Sequence, residues 1–403
     1  MNIDGLYMLS GGEATEKGLE RNLPFLRRRD CYNEVAECSF EDVPAARTHH
    51  DPAVVDDDVA VLLREQLIVE IPKELVRGPV MLFAVDELAK NRRRPIRWTY
   101  AINDAYPKVE GEPFPTLRQR IQAGLVGPMM GTADIAGCFD QCGLTEEVGS
   151  LMCFKHRGKF YRLTCLPMGQ RHSVAIASAI LARLNDFEHA SPCSMEYIDG
   201  VCFIGTHEQV ARDITTFAER CKEVGCILNE DILTDVNAHV VSRGVWTGLD
   251  MDLDNKTVAL APKTPAKAVD SWARRGTWTN RDFSAHMGIL WYCAGVLDIQ
   301  LAGFFPLIRF ISDSSRKLTY DESLWDAPCY IWPSALPALQ RWTEIVISNA
   351  PRIIKDEPNI FDWTVCTDSS RYGWGYVAKS STGEIRDRQR ESIDSRNQIV
   401  GTP

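Results

Sequence analysis

Residues 131–140 read GTADIAGCFD, and residues 195–205 read MEYIDGVCFIG. The first predicts a short strand running into a tight acidic bend at Asp134. The second predicts strand, turn and strand, because β-rich arms flank Asp199-Gly200. An Asp at a strand end or a turn tip ordinarily caps or turns the chain. What lies between the two changes that reading. LMCFKHRGKFYRLTCL (151–166) is a hairpin pattern, two apolar arms around His156-Arg157-Gly158-Lys159. LPMGQRHS then opens an Ala-rich helix, VAIASAILARLNDF (174–187). Two carboxylates at strand ends, separated by a basic hairpin and a helix, suit two-metal nucleotidyl transfer. Two divalent cations about 3.5–4 Å apart need carboxylates held on adjacent strands.

Outward from this segment, 51–75 has apolar residues near helical spacing and predicts one helix, with Asp56, Asp57 and Asp58 suiting its positive N-terminal end. VMLFAVDE (80–87) and PIRWTYAIN (95–103) read as strands around a basic turn, AKNRRR. Residues 208–226 form an amphipathic helix pattern, followed by short strands ending in VWTGLDMD (245–252). Residues 280–350 read as mostly helical, with Trp291, Trp325, Trp332 and Trp342 as packing residues. DWTVCTDSSRYGWGYVAKS (362–380) predicts a further β-hairpin. Residues 1–50 are weakly periodic, and His49/His50/Asp51 reads as a solvated loop.

The motif order resembles a reverse transcriptase. ADIAGCFD is similar to the first polymerase motif, which implies that Asp134 is a metal ligand and Phe139 a gate against the 2′-hydroxyl. YIDG resembles the Tyr-x-Asp-Asp hairpin, with Asp199 as the second carboxylate and Tyr197 beneath the primer end. LPMGQ resembles the segment under the nascent base pair, which implies that Gly169 and Gln170 line that pocket. VWTGLD resembles the turn that grips the primer through Trp246, Thr247 and Gly248. RRRPIRWTYAIN resembles the strand whose arginine covers the triphosphate, Arg94 here, with Arg92 and Arg93 beside it. The backbone carbonyl of Ile135 would assist the two carboxylates in holding Mg²⁺ or Mn²⁺. The implied fold is α+β, a right-hand polymerase with fingers, palm and thumb, then connecting helices and an incomplete ribonuclease H start. The implied partners are an RNA template, a DNA or RNA primer and deoxynucleoside triphosphates. Among retroelements the layout looks most like the tyrosine-recombinase (DIRS-like, VIPER) class. The implied division is an N-terminal extension over 1–50, fingers and palm over 51–255, thumb and connection over 256–355, and a ribonuclease H-like segment over 356–403.

The sequence departs from the family in four places. Gly200 stands where a second hairpin Asp is usual, which removes one anion from the metal site. Met168 occupies a place where some members have Gln. Asp231-Ile232 follow LNE where a Lys is common, and loss of a proton donor typically costs about 10²–10⁴-fold. TDSSRYGWGYVA resembles the opening strands of ribonuclease H, with Asp368 as its first metal-binding Asp. Too few residues follow Asp368 for the other carboxylates, so no ribonuclease H activity is expected, and the ending at IVGTP resembles a truncated reading frame. These departures support an alternative, a catalytically silent or co-opted element that binds RNA or an RNA–DNA duplex.

Composition limits the other classes. Of 403 residues, 45 are Lys or Arg and 55 Asp or Glu, a net charge of −10, which argues against a wholly basic histone-like binder. Positive charge is nonetheless local. Residues 90–97 and 151–172 each carry five Lys or Arg and no acid, whereas 206–254 carries ten acidic residues against four basic ones. Basic segments where template and triphosphate are expected suit a polyanion. The thirteen cysteines include no CxxC pair, which excludes a zinc-ribbon pattern and predicts reduced thiols inside the cell, nuclear or cytoplasmic. No apolar run approaches the roughly 18 residues of a membrane span.

Overall fold

The computed structural model describes residues 54–87, 92–99, 102–103, 114–356, 363–370, 373–380 and 385–392. They fall into two compact units, one reaching to Ile354 and one starting at Lys355. The strands of the first unit are β1 Ile68–Ile71, β2 Met81–Glu87, β3 Arg92–Trp98, β4 Met129–Asp134, β5 Cys153–His156, β6 Lys159–Leu163, β7 Cys193–Tyr197, β8 Gly200–Gly205, β9 Val240–Val241, β10 Arg243–Trp246, β11 Leu249–Asp252, β12 Thr257–Leu260 and β13 Arg352–Ile353. They form four antiparallel sheets in the orders β1-β6-β5, β2-β3, β7-β8-β4-β9 and β10-β11-β12-β13.

The sheet β7-β8-β4-β9 is the centre of this unit. Every residue of β8 is buried, and its side chains alternate between two cores. Val201 and Phe203 join the first core, where Val210, Ile214 and Phe217 of the helix His207–Glu223 cover them. Cys202 and Ile204 join the second core, with Trp246, Leu249, Met251 and Trp342. Full burial of a side chain such as Phe203 contributes roughly 1.5–3 kcal/mol. The helix His207–Glu223 starts at a capping box of Thr206 and Gln209, and its buried residues recur at helical spacing. It packs closely on β4 because residue 131 is Gly; a Cβ there would lie 2.7 Å from Val210 Cγ1. Asp213 on the same helix is buried, and its carboxylate accepts bonds from the Ala190 and Ser191 amides at 2.8 and 2.7 Å. Those bonds offset the desolvation of a buried charge.

The other sheets flank this centre. The predicted hairpin at 151–166 is β5-β6, turned by Arg157 and Gly158 with φ of 47° and 82°, as a type I′ turn needs. The single helix expected over 51–75 is corrected. The helix covers only Asp56–Arg64, Gln66 takes φ 57°, and Ile68–Ile71 pairs with Phe160–Leu163. IVEI fits a helical period, but its branched residues pair better with a waiting strand edge. The basic turn is also corrected, because Arg92, Arg93 and Arg94 lie within β3, paired with Glu87, Asp86 and Val85. The second core is completed by the helices Lys263–Ala273, Asn280–Leu297, Phe305–Tyr320 and Leu336–Ser348. Trp342 is fully buried there, edge-on to Trp291 at 5.3 Å.

In the second unit, β14 Trp363–Ser370, β15 Gly373–Ser380 and β16 Ile385–Ser392 make one antiparallel sheet in that order. Asp368 lies on β14 opposite Gly375, and its side chain is outside the described residues. Residues 1–50, with the extension expected there, are also outside them.

Candidate active site

Asp134 is the last residue of β4 and stands opposite Gly200, the first of β8. Asp199 therefore sits in the two-residue turn between β7 and β8, beside the end of β4. Backbone bonds fix the juxtaposition. The Ile135 amide donates to the Asp199 carbonyl at 2.8 Å, and the Asn229 amide donates to the Asp134 carbonyl at 2.9 Å. The turn is strained. Ile198, a β-branched residue, takes φ 57°, while the Asp199 amide donates to the Tyr197 carbonyl at 2.8 Å. This positive-φ γ-turn is held by the paired strands on both sides, the pattern of strain that collects at functional sites.

The two carboxylates face a cavity of about 610 Å³. Tyr197, Trp246, Thr247 and Gly248 line the same cavity, as do Glu230, Lys263 and Tyr292. Trp246–Leu249 closes the β10-β11 hairpin, and its turn residues Thr247 and Gly248 take φ of 49° and 85°. The Tyr292 hydroxyl donates to the Thr247 carbonyl at 3.1 Å, which holds this turn against the helix Asn280–Leu297. A Cβ at Gly248 would lie 2.4 Å from that hydroxyl. On the other wall, the Tyr197 ring meets Phe114, at 4.9 Å between centroids, and the Arg120 guanidinium, at 5.0 Å.

The electrostatics suit a cation. Partial burial raises the Asp134 carboxyl above its ordinary range, Asp199 and Glu230 raise it further, and Lys263 opposes them. Burial also raises Asp199, against a lowering backbone bond. Two oxygen-donor carboxylates that resist ionisation together are a fit for a hard divalent ion. Among the described residues no group of three or more His, Cys, Asp or Glu side chains is placed to hold a metal. Mg²⁺ commonly uses one or two carboxylates and completes its shell with water and substrate phosphates. At Gly200, a Cβ would stand 2.3 Å from Asp134 Oδ1, so the Asp134 carboxylate lies over the missing side chain.

The remaining expected residues divide. Arg94 is half-buried, and its guanidinium donates to Met168 Sδ at 3.7 Å, while the Trp98 ring lies against Gly169. That face of β3 therefore meets the exposed Met168-Gly169 turn. Asn103 holds the turn from the side, donating to the Gly169 carbonyl at 2.8 Å and accepting from the Arg171 amide at 2.7 Å. Arg93 points to the opposite face. It pairs with buried Asp58 at 3.0 Å and with Asp86 at 3.1 Å. The Arg92 side chain lies outside the described residues. Gln170 likewise turns away from the cavity. Its side chain is buried, accepts from the His172 amide at 2.9 Å, and shapes the turn rather than lining a pocket. Phe139 is half-buried against the first core, in the helical turn Cys138–Gln141, and does not line the cavity. Glu230, Lys263, Tyr292 and Arg120 were not singled out from sequence, where no spacing sets them apart.

No family model matches the sequence, and no curated protein matches it. Solved structures do. The foamy viral protease-reverse transcriptase dRH in complex with ds DNA matches with a TM-score of 0.53 and 13% identity, over 97% of this chain and 67% of that one. The chain has a reverse-transcriptase-like fold. The foamy viral enzyme in complex with RNA/DNA hybrid gives 0.54 and 12%, over 97% of this chain and 52% of that one. Its complex with dsDNA gives 0.51 and 12%, over 97% and 80%. This chain thus spans about half the length of the second of these. Among the described residues of this reverse-transcriptase-like chain, no helix is long and apolar enough to cross a membrane.

Proposed function

We propose that the protein is an RNA-directed DNA polymerase of a retroelement, extending a primer 3′-hydroxyl with deoxynucleotides on an RNA template. One observation carries the reading: Asp134 and Asp199 stand at adjacent strand ends in one cavity, facing Tyr197 and the Trp246–Leu249 hairpin. Asp134 and Asp199, with the Ile135 carbonyl, would hold Mg²⁺ or Mn²⁺, which when bound supplies charge neutralisation for the hydroxyl and the phosphates. The Trp246–Leu249 turn, held by Tyr292, positions the primer end. Tyr197, in contact with Phe114 and Arg120, supports it from below. Arg94 binds the triphosphate from the β3 face that meets Met168 and Gly169. Phe139 excludes the 2′-hydroxyl when a nucleotide is seated. The tyrosine-recombinase subclass rests on the sequence motifs alone. An intracellular location is part of the proposal, since the described cysteines are all free thiols. Asp368, on β14, is assigned as the first metal-binding Asp of a ribonuclease H-like segment.

Gly200 favours a second reading, a silent element that still binds primed template. Primer extension separates the two. Purified protein receives an RNA template, a DNA primer and deoxynucleotides, with Mg²⁺ and then Mn²⁺, beside Asp134→Asn. Metal-dependent extension that disappears in the variant is the expected result. Absence of extension with retained, salt-sensitive binding would establish the second reading and overturn the first.

A further inference from the structure

The cavity that faces the two carboxylates must, on the polymerase reading, receive a phosphodiester backbone. Its titratable lining is otherwise acidic, with Asp134, Asp199 and Glu230. Lys263 is the one Lys or Arg among the described residues that line it. It is exposed and opens the helix Lys263–Ala273, with Thr264 beside it on the cavity wall. Lys263 follows β12, which pairs with β11, so it enters on the side of the Trp246–Leu249 hairpin. Arg94, on β3, is not part of that lining. Glu230 has its own partner, His239 Nδ1 at 3.0 Å. Lys263 and Asp134 line the same cavity.

We propose that Lys263 is the positioning residue for the primer, its ammonium pairing with the phosphodiester next to the 3′-terminal nucleotide. Before a divalent ion is bound, a polyanion entering this cavity meets three carboxylates, and Lys263 is the cation on the hairpin side that opposes their repulsion. An ammonium on a flexible stem suits a phosphate met as a point charge. Without primer the same ammonium offsets the charge of Asp134; with primer seated it faces the phosphate. The inference rests on the polymerase reading for the identity of the anion.

The test is equilibrium binding of a fluorescent, DNA-primed RNA template to the full chain between 50 and 200 mM salt, without nucleotides. Wild type, Lys263→Gln and Lys263→Arg are compared, each with an ordinary primer and with one whose 3′-terminal linkage is an uncharged methylphosphonate. Lys263→Gln should weaken binding about 3- to 10-fold and reduce the slope of log K against log salt by about 0.7–0.9. Lys263→Arg should stay near wild type. The methylphosphonate primer should weaken wild type by a similar factor and affect Lys263→Gln little further. Wild-type affinity and slope in Lys263→Gln would overturn the proposal, as would full additivity of the two changes. Extension assays run in parallel keep the two claims apart: binding that depends on Lys263 without any extension sinks the polymerase reading alone.

Discussion

Asp134→Asn should abolish extension and, in metal-free buffer at pH 7, make the protein more stable. The Asp134 carboxyl is raised by partial burial, by Asp199 and by Glu230, with only Lys263 opposing. Its folded pKa therefore lies above the unfolded value of about 3.9. Such a group favours folding below the unfolded pKa and loses that contribution as pH rises through the folded one. At pH 7 wild type bears the full repulsion, whereas Asn, of nearly the same shape, bears none. The carboxylate is open to solvent on the cavity side, so the gain is discounted to roughly 0.5–1 kcal/mol. For a unit of this size that is about 1–3 °C in Tm.

A bound divalent ion reverses the order. Mn²⁺ at 100 times its Kd stabilises wild type by about 2.7 kcal/mol, and the Asn variant, lacking one ligand, gains less. Thermal unfolding followed by tryptophan fluorescence, in EDTA and in Mn²⁺, at pH values from 7 down to 4, reads all of this. The gain in EDTA should shrink as pH falls through the raised pKa of the wild-type carboxyl. A variant less stable than wild type in EDTA at pH 7, or a gain independent of pH, would refute the electrostatic account of the site.

Three further outcomes are expected. Phe139→Ala should raise the ratio of ribonucleotide to deoxynucleotide incorporation in kcat/KM, and an unchanged ratio would return Phe139 to the core against which it packs. Gly200→Asp places a Cβ 2.3 Å from Asp134 Oδ1 and a like charge opposite it in register; chemical unfolding in EDTA should show a loss of roughly 0.5–1.5 kcal/mol, recovered by Mn²⁺. His286 is buried, with Nε2 on Thr343 Oγ1 at 3.0 Å, and burial pushes its imidazole down to about 4. Its contribution is full above the unfolded value of about 6.5 and is lost as pH falls toward the folded one, with a slope approaching about 1.4 kcal/mol per pH unit. His286→Gln should flatten that part of a stability–pH curve.

The pairing of Asp134 with Asp199 was legible because strand-end aspartates beside Gly and Ala punctuate the chain, and local punctuation survives folding: β4, β7 and β8 lie where the motifs place them. The arginines of 92–94 were legible only as a group. Which of them faces the Met168-Gly169 turn depends on strand parity, and Arg93, one step out of phase with Arg94, meets Asp58, 35 residues upstream. A residue that is one step out of phase joins the opposite face. Gln170 turns inward for a similar reason, toward its polar neighbours His172 and Ser173. The helix over 51–75 ran too long because IVEI satisfies a helical period until β6 offers an edge. Lys263 and Tyr292 are the strongest case. Each reaches the cavity from more than a hundred residues beyond Asp134, through the β10-β11-β12 sheet and the helices after it. No motif spacing links them to Asp134, so chain order could identify the anionic half of this site but not its cation. The acidic segment 206–254 illustrates the consequence: it contributes Glu230 to the cavity, and the charge that balances the site comes from outside it. A charge map drawn along the chain therefore locates the acidic side of this cavity, and the fold decides which cation faces it.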